Sequence, residues 1–101
     1  MVIAEVNIIP LGTKTPSVSK HLAQALRVLR EEKNIKYELT SMGTIIEGDL
    51  GEILRVVRNM HESTFDDEIT RVVTTLKIDD RRDKTLSMSG KIESQLKKLE
   101  H

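Results

Sequence analysis

Apolar residues recur along this chain at two spacings, one typical of β-strands and the other of α-helices. The order of these segments is compatible with few folds. Alternating apolar residues from Val2 onward predict a β-strand that ends at Pro10. Thr15 and Pro16 together are typical of a helix N-terminus. The apolar residues after them are spaced by four, three, one and three, as on one face of a helix that ends near Asn34. These helix positions are Val18, Leu22, Ala25, Leu26 and Leu29.

The middle of the chain predicts a hairpin followed by a second helix. In the stretch YELTSMGTIIEG, residues 37–48, strand-forming residues stand on both sides of a reversal at Gly43, with Ser41 and Met42 before it. Asp49 is expected to cap the second helix, with Glu52 as its capping-box partner. The predicted buried stripe of this helix consists of Leu50, Ile53, Leu54, Val57 and Met60.

The last third of the chain predicts one more strand and one more helix. Residues 71–78 are rich in β-branched side chains, which favour a strand. A C-terminal helix is indicated by apolar residues at helical spacing, namely Met88, Ile92, Leu96 and Leu99. The whole order matches the α+β, ferredoxin-like βαββαβ plan, an antiparallel sheet with two helices on one face, here followed by a third helix. A chain of 101 residues forms one domain, interpreted as residues 1–98, and residues 99–101 are interpreted as an expression-tag remnant.

This plan leaves one face of the sheet bare, and the residues predicted there are a mixture of aliphatic and polar types. On the first and fourth strands the side chains predicted to face the helices are Val2, Ala4, Val6 and Ile8 with Val72, Thr74, Leu76 and Ile78. A wholly solvated opposite face would be more polar than the one predicted. We therefore expect two copies to pair through it, with interface residues Ile3, Glu5, Ile9, Val73, Lys77, Arg81 and Arg82.

Composition excludes several functional classes. Sixteen basic and sixteen acidic residues cancel, so no global field attracts nucleic acid or an anionic membrane. Tyr37 and Phe65 are the only aromatic residues, which leaves no platform for stacking bases. No apolar run approaches the roughly 20 residues that span a bilayer, and the N-terminus lacks a charged leader. The sequence predicts a cytoplasmic protein with neither nucleic-acid nor membrane partners.

The chain offers little for catalysis or metal binding. It contains no cysteine, its glycines are isolated, and His21 and His61 lie on different predicted helices, where they are interpreted as surface residues. Neither a metal site nor a cofactor is therefore expected. An enzyme using Glu5 or Glu47 as a general base is the least favoured function, because no second candidate catalytic residue occurs at a spacing that would indicate a catalytic pair.

Polar residues around the predicted hairpin form a candidate binding site. They are Asn7, Ser17, Thr40, Ser41, Thr44 and Glu47. Donors and acceptors beside aliphatic walls suit a small, neutral to cationic heterocycle. The other interpretation, favoured by spacing alone, is a set of cross-strand threonine pairs with a salt-bridged glutamate. A separate charged segment, residues 79–84, is either a solvated connection or a site that captures an anion between subunits.

Three segments carry a resemblance that covers nearly the whole chain. AEVNIIPLGT, YELTSMGTIIEGDLGEIL and RVVTTLKIDDRRDK resemble the thiamine-binding-like family of small proteins, long known only as an uncharacterised protein family. The resemblance implies a ferredoxin-like fold, subunits that pair through their sheets into homotetramers, and binding of thiamine or its hydroxymethylpyrimidine moiety without known catalysis. The matching positions are Asn7, then Thr40, Met42, Gly43, Thr44 and Glu47, then Arg71, Asp79, Arg81, Arg82, Asp83 and Lys84.

The predicted function is therefore a non-catalytic homo-oligomer that binds a thiamine-related small molecule. The alternative is a regulatory or structural oligomeric domain that senses an amino acid or an anion at a subunit interface near Arg81 and Arg82.

Overall fold

The computed structural model describes residues 1–12, 19–83 and 88–99. Its elements are β1 (Val2–Leu11), α1 (Ser19–Arg30), β2 (Lys36–Thr40), β3 (Gly43–Gly48), α2 (Leu50–Ser63), β4 (Arg71–Asp79) and α3 (Met88–Leu99). The four strands form an antiparallel sheet in the order β2-β3-β1-β4. The predicted ferredoxin-like α+β fold is confirmed. The expected helix start at Thr15 and Pro16, and Val18, lie outside the described residues.

One face of the sheet packs against α1 and α2 and is called the helix face. The core joins alternate residues of β1 to Ile46 of β3, Leu29 of α1 and Ile53 of α2, all of them buried. Leu76 and Val72 of β4 pack at the margin of this core. The side chains predicted to face inward on β1 and β4 therefore do so.

The other face is called the open face, and the strand register shows which residues share it. Side chains alternate between the two faces along each strand. Residues that are directly opposite one another in the register share a face with Ile3 and Glu5 of β1. From β1, β3 and β4 they are Ile3, Glu5, Asn7 and Ile9, then Ile45 and Glu47, then Arg71, Val73, Thr75, Lys77 and Asp79.

Two helical stripes are rotated from their predicted positions. On α2, Leu54 is 46% exposed whereas Val56 is fully buried. Leu54 lies about 100° around the helix from Ile53, at the edge of the face that meets the sheet. On α1, His21 is buried and Leu22 is exposed, so the interpretation of His21 as a surface residue is wrong. The face of α1 that contacts α2 and the sheet includes His21 together with Ala25 and Leu29.

The predicted capping box at the start of α2 is also wrong. The side chain of Asp49 makes no capping hydrogen bond, although its carbonyl accepts one from the backbone N–H of Ile53 at 2.9 Å. The carboxylate of Glu52 instead accepts a hydrogen bond from Arg55 at 2.7 Å. Arg55 also bonds Glu32 at 2.6 Å and thereby lowers the pKa of the Glu32 carboxyl. Arg55 thus binds the carboxylate of Glu52 in place of the helix N-terminus, and through Glu32 it links α2 to the connection after α1.

The predicted C-terminal helix is confirmed, but it does not bury its apolar stripe. No residue of α3 is buried, and Ile92 is 57% exposed. An ion pair between Lys91 and Asp79 links α3 to the end of β4. None of the helices that the structure describes is long and apolar enough to cross a membrane.

Candidate functional site

A cavity of about 320 Å³ lies between α1, β1 and the tip of the β2–β3 hairpin, and we call it the hairpin cavity. Its apolar part comes from Val6, Ile8, Ala25, Leu26 and Met60. Its polar part comes from Asn7, Thr40, Ser41 and Thr44. The volume is at the lower end of the range for small-molecule sites, roughly 300–1,000 Å³. The hairpin cavity is therefore of a size for one small organic molecule.

The hydroxyl of Thr40 holds the hairpin turn together. Its Oγ1 accepts hydrogen bonds from the backbone N–H groups of Met42 at 3.2 Å and Gly43 at 3.1 Å. It donates its single hydrogen to the carbonyl of Gly43 at 2.7 Å. The chain reverses at Ser41 and Met42, while Gly43, the predicted reversal, already begins β3. Thr40 thus shapes the wall of the hairpin cavity, and its donor is already used.

Gly43 allows the side chain of Asn7 to lie against the hairpin. A Cβ atom at position 43 would be 2.7 Å from Oδ1 of Asn7, closer than such contacts ever are. A side chain here would have to push the Asn7 amide aside. The glycine therefore fixes the place of an amide at the edge of the hairpin cavity.

Three polar side chains of the cavity retain unused hydrogen-bonding capacity. Within the described ranges, the side chains of Asn7, Ser41 and Thr44 make no hydrogen bond to protein. The amide offers both donors and an acceptor, and each hydroxyl can donate or accept. The described lining contains no charged side chain. The hairpin cavity is thus suited to a ligand part that is uncharged and forms several hydrogen bonds.

Two of the predicted ligand residues lie elsewhere. Glu47 is three residues beyond Thr44 on β3, so it faces the open face, between Ile3 and Lys36 in the strand register. It is only 7% exposed. Ser17 lies outside the described residues. The structure brings Thr40, Ser41 and Thr44 together at the cavity. Asn7 reaches the edge of the cavity from the open face, beside Gly43, whereas Glu47 lies on the open face outside the lining.

Sequence reasoning missed the apolar rim of the cavity. Leu22, Leu39 and Met42 line the cavity and are all exposed, with Met42 at 79%. The sequence indicates Met42 only as part of the family motif. The signal that could have indicated it is a large apolar side chain at the tip of a hairpin, between Ser41 and Gly43.

The predicted interface residues fall into two groups. On the open face, Ile9 and Val73 are 51% and 41% exposed, whereas Ile3 is already buried within the chain. Glu5 and Lys77 stand directly opposite each other between β1 and β4. The remaining two residues, Arg81 and Arg82, follow β4.

Both arginines after β4 are engaged by neighbouring aspartates. Arg81 donates to both carboxylate oxygens of Asp83, at 2.6 and 2.9 Å. Arg82 donates to Asp80 at 3.0 Å. These hydrogen bonds raise the pKa of each guanidinium.

The histidines are far from a metal-binding arrangement. Nδ1 of His21 is 3.6 Å from a carboxylate oxygen of Asp66, and Nδ1 of His61 is 2.6 Å from the hydroxyl of Thr74. In the portion of the chain that the structure covers, no three histidine or carboxylate side chains are grouped to hold a metal ion.

The structure thus combines a ferredoxin-like α+β sandwich with a small cavity beside its hairpin. Comparison with known protein families then identifies the family of this chain. The family described as "Thiamine-binding protein" matches residues 4–96, and the chain belongs to it. The resemblance inferred from the three sequence segments is confirmed.

Relatives and solved structures agree with this assignment. The chain is 47% identical over 103 residues to the UPF0045 protein YqgV of Bacillus subtilis, covering 99% of each chain. A crystal structure of the hypothetical protein MJ1052 of Methanocaldococcus jannaschii is 43% identical with a TM-score of 0.84, covering 92% of this chain and 93% of that one. A candidate thiamine biosynthesis or salvage protein of Thermotoga maritima is 19% identical with a TM-score of 0.76, covering 93% and 97%. This last likeness concerns the fold.

Proposed function

We propose that this chain is a non-catalytic binding protein for thiamine or its hydroxymethylpyrimidine moiety, and that the pyrimidine enters the hairpin cavity. The observation that carries the proposal is the set of unused polar groups on Asn7, Ser41 and Thr44 beside an apolar floor. Membership of the thiamine-binding family supports the same ligand class.

The chemistry of an aminopyrimidine fits the groups in the cavity. Its ring nitrogens accept hydrogen bonds and its amino group donates them. The Asn7 amide can both donate and accept, and the hydroxyls of Ser41 and Thr44 adapt to either role. The aliphatic side chains of Val6, Ile8 and Leu26 would cover the ring.

The charge of the ligand decides which part of it is held inside. Burying an unpaired charge is costly, and the described lining offers no counter-charge. The neutral pyrimidine would therefore occupy the cavity, while a cationic thiazolium or a phosphate would stay at the rim, near Leu39 and Met42.

The proposal includes self-association through the open face into a homotetramer, arranged as a dimer of dimers. Ile9 and Val73 are the exposed apolar residues that such pairing would cover. Glu5 and Lys77, which are neighbours on this face, would then meet charges of the second copy.

The alternative, an anion or amino-acid sensor at Arg81 and Arg82, gains no support from the site. Each guanidinium already forms an ion pair with an aspartate two residues away in the sequence, Asp83 for Arg81 and Asp80 for Arg82. An incoming anion would have to displace these carboxylates.

Isothermal titration calorimetry tests the ligand. We expect heat of binding with hydroxymethylpyrimidine and with thiamine. Thr44→Val removes one free hydroxyl and should weaken binding by about two- to tenfold, the effect of one hydrogen bond of roughly 0.5–1.5 kcal/mol. The matched control is Thr70→Val, at an exposed position away from the cavity, which should bind as the wild type does. No heat and no thermal shift at millimolar ligand would refute the proposal.

A further inference from the structure

The hairpin cavity presents hydrogen-bonding groups without presenting a charge. Within the described ranges, its polar side chains are one amide and three hydroxyls, those of Asn7, Thr40, Ser41 and Thr44. None of them ionises. The other side chains of the lining are aliphatic or methionine. A charged group that entered the cavity would therefore lose hydration without gaining a partner of opposite charge.

We propose that the hairpin cavity selects the neutral form of its heterocycle and rejects the same ring once a ring nitrogen is protonated. This inference rests on the proposed function, because it concerns the pyrimidine that is proposed to bind there. An aminopyrimidine is a weak base that takes up one proton at a ring nitrogen in acidic solution. The protonation state of the ligand, and not only its shape, then decides whether it is bound.

Hydrogen bonding alone does not separate the two forms of the ring. Protonation turns one ring nitrogen from an acceptor into a donor, and the amide oxygen of Asn7 or a hydroxyl oxygen can accept from it. What separates the two forms is the charge, since neutral amides and hydroxyls replace only part of the hydration that a cation loses. A carboxylate would compensate the charge, and the described lining contains none.

The titratable groups next to the lining on the two helices supply no carboxylate to the cavity. On α1, His21 precedes a lining residue, and its Nδ1 is 3.6 Å from a carboxylate oxygen of Asp66. On α2, His61 follows a lining residue, and its Nδ1 is 2.6 Å from the hydroxyl of Thr74. A histidine that gained a proton would disfavour a cationic ligand further. The other titratable groups beside the lining residues of α1 are exposed and cationic, Lys20 and Arg27.

The strands likewise place their acidic side chains outside the lining. Glu38 of β2 precedes Leu39, which lines the cavity, and so points to the opposite face of the sheet. Glu5 of β1 lies on the open face and stands opposite Lys77 in the register. Tyr37 shares its face with Leu39 but is not part of the lining. Residues 13–18, which lie outside the described ranges, include neither aspartate nor glutamate.

Isothermal titration calorimetry at several pH values tests this selection. With hydroxymethylpyrimidine, the affinity should be constant while the free ring is neutral. Below the pKa of the free ring it should fall about tenfold per pH unit, because one proton must leave for each molecule bound. That pKa is measured on the ligand alone by its ultraviolet absorbance. An affinity that stays constant through it overturns the selection but not the proposed function, whereas no binding at any pH overturns both.

Thiamine distinguishes titration of the ligand from titration of the protein. Its permanent thiazolium charge disfavours a second positive charge, so its pyrimidine takes up a proton at a lower pH than hydroxymethylpyrimidine does. The fall in affinity should therefore begin at a lower pH for thiamine, displaced by the difference between the two free-ligand pKa values. A fall at the same pH for both ligands would show that a protein group such as His21 titrates, and would overturn the proposal.

A carboxylate introduced at the lining tests the missing counter-charge. Ser41→Asp places one at the hairpin turn, where aspartate is a favoured residue. It should flatten the fall in affinity at low pH, because the protonated ring then meets an opposite charge. The matched control Ser41→Asn has the same size without the charge and should keep the fall. Thr70→Asp, at an exposed position away from the cavity, should keep the wild-type profile. Equal falls for Ser41→Asp and Ser41→Asn would overturn the proposal.

Discussion

Two threonines of the same hairpin have different roles, which the sequence alone does not separate. Thr40 uses its hydroxyl in three hydrogen bonds of the turn. Thr44 lies on the first part of β3 and keeps its hydroxyl free at the cavity. The difference depends on turn geometry and on the face to which each side chain points. The sequence predicted that both lie near one site, but not which of them can bind a ligand.

Glu47 illustrates the same limit. It was grouped with Thr44 because the two are close in sequence, yet an odd spacing along a strand puts them on opposite faces. Asn7 lies on the same face as Glu47, but its amide reaches the edge of the cavity because Gly43 has no Cβ to displace it. Such contacts between strands depend on register, which the sequence did not determine.

Asp66 should make the stability of the fold sensitive to acid. Its carboxylate accepts hydrogen bonds from the backbone N–H groups of Ile69 and Glu68, both at 2.8 Å. The bond from Ile69 contributes most to lowering the pKa of Asp66 below its ordinary value of 3.8, and the bond from Glu68 adds to it. Because the folded pKa is lower than the unfolded one, the charge stabilises the fold at pH values above 3.8, and this is lost as the pH falls further.

The variant Asp66→Asn isolates that charge. At neutral pH we expect it to be less stable to urea than the wild type, and the difference should shrink as the pH drops below 3.8. Asp67→Asn is the control, because Asp67 is an exposed neighbour without a hydrogen bond in the described part of the chain. A stability difference that stays constant with pH would show that the charge of Asp66 has no such effect.

At the level of whole elements, the sequence predicted the helices and strands that the structure describes, but it did not orient the helices. On α2 the predicted stripe and the observed one share Ile53, Val57 and Met60, and differ in whether Leu54 or Val56 completes them. Both sets have helical spacing, so the sheet beneath decides between them. The predicted capping box is absent for a similar reason. Arg55 forms ion pairs with both Glu32 and Glu52, so the Glu52 carboxylate binds an arginine and not the helix N-terminus.

Two adjacent positions on α2 test the orientation of this helix. Ile53 is fully buried and Leu54 is 46% exposed. Ile53→Ala removes packed atoms and leaves a cavity, so it should lower the free energy of unfolding by about 2–5 kcal/mol. Leu54→Ala should change it by no more than about 0.5 kcal/mol. Chemical denaturation followed by circular dichroism measures both, and similar losses would contradict the observed rotation of α2.

On the scale of the whole molecule, the open face keeps exposed apolar side chains among the residues that the structure describes. Ile9 and Val73 stand directly opposite each other there and are 51% and 41% exposed. The alternation in the sequence predicted this face, because successive side chains of a strand point to opposite faces of the sheet.

Ile9→Asp tests the proposed pairing through the open face. The substitution puts a charge directly opposite Val73, another exposed apolar residue of this face. It should lower the molecular mass measured by light scattering to half or less. Leu54→Asp, at an exposed apolar position on α2, should not change the mass.

Light scattering at several protein concentrations measures these masses. If the wild-type chain is a folded monomer at micromolar concentration, the open face does not pair, because exposed apolar residues such as Ile9 are then tolerated in water. An unchanged mass for Ile9→Asp would also contradict pairing through this face.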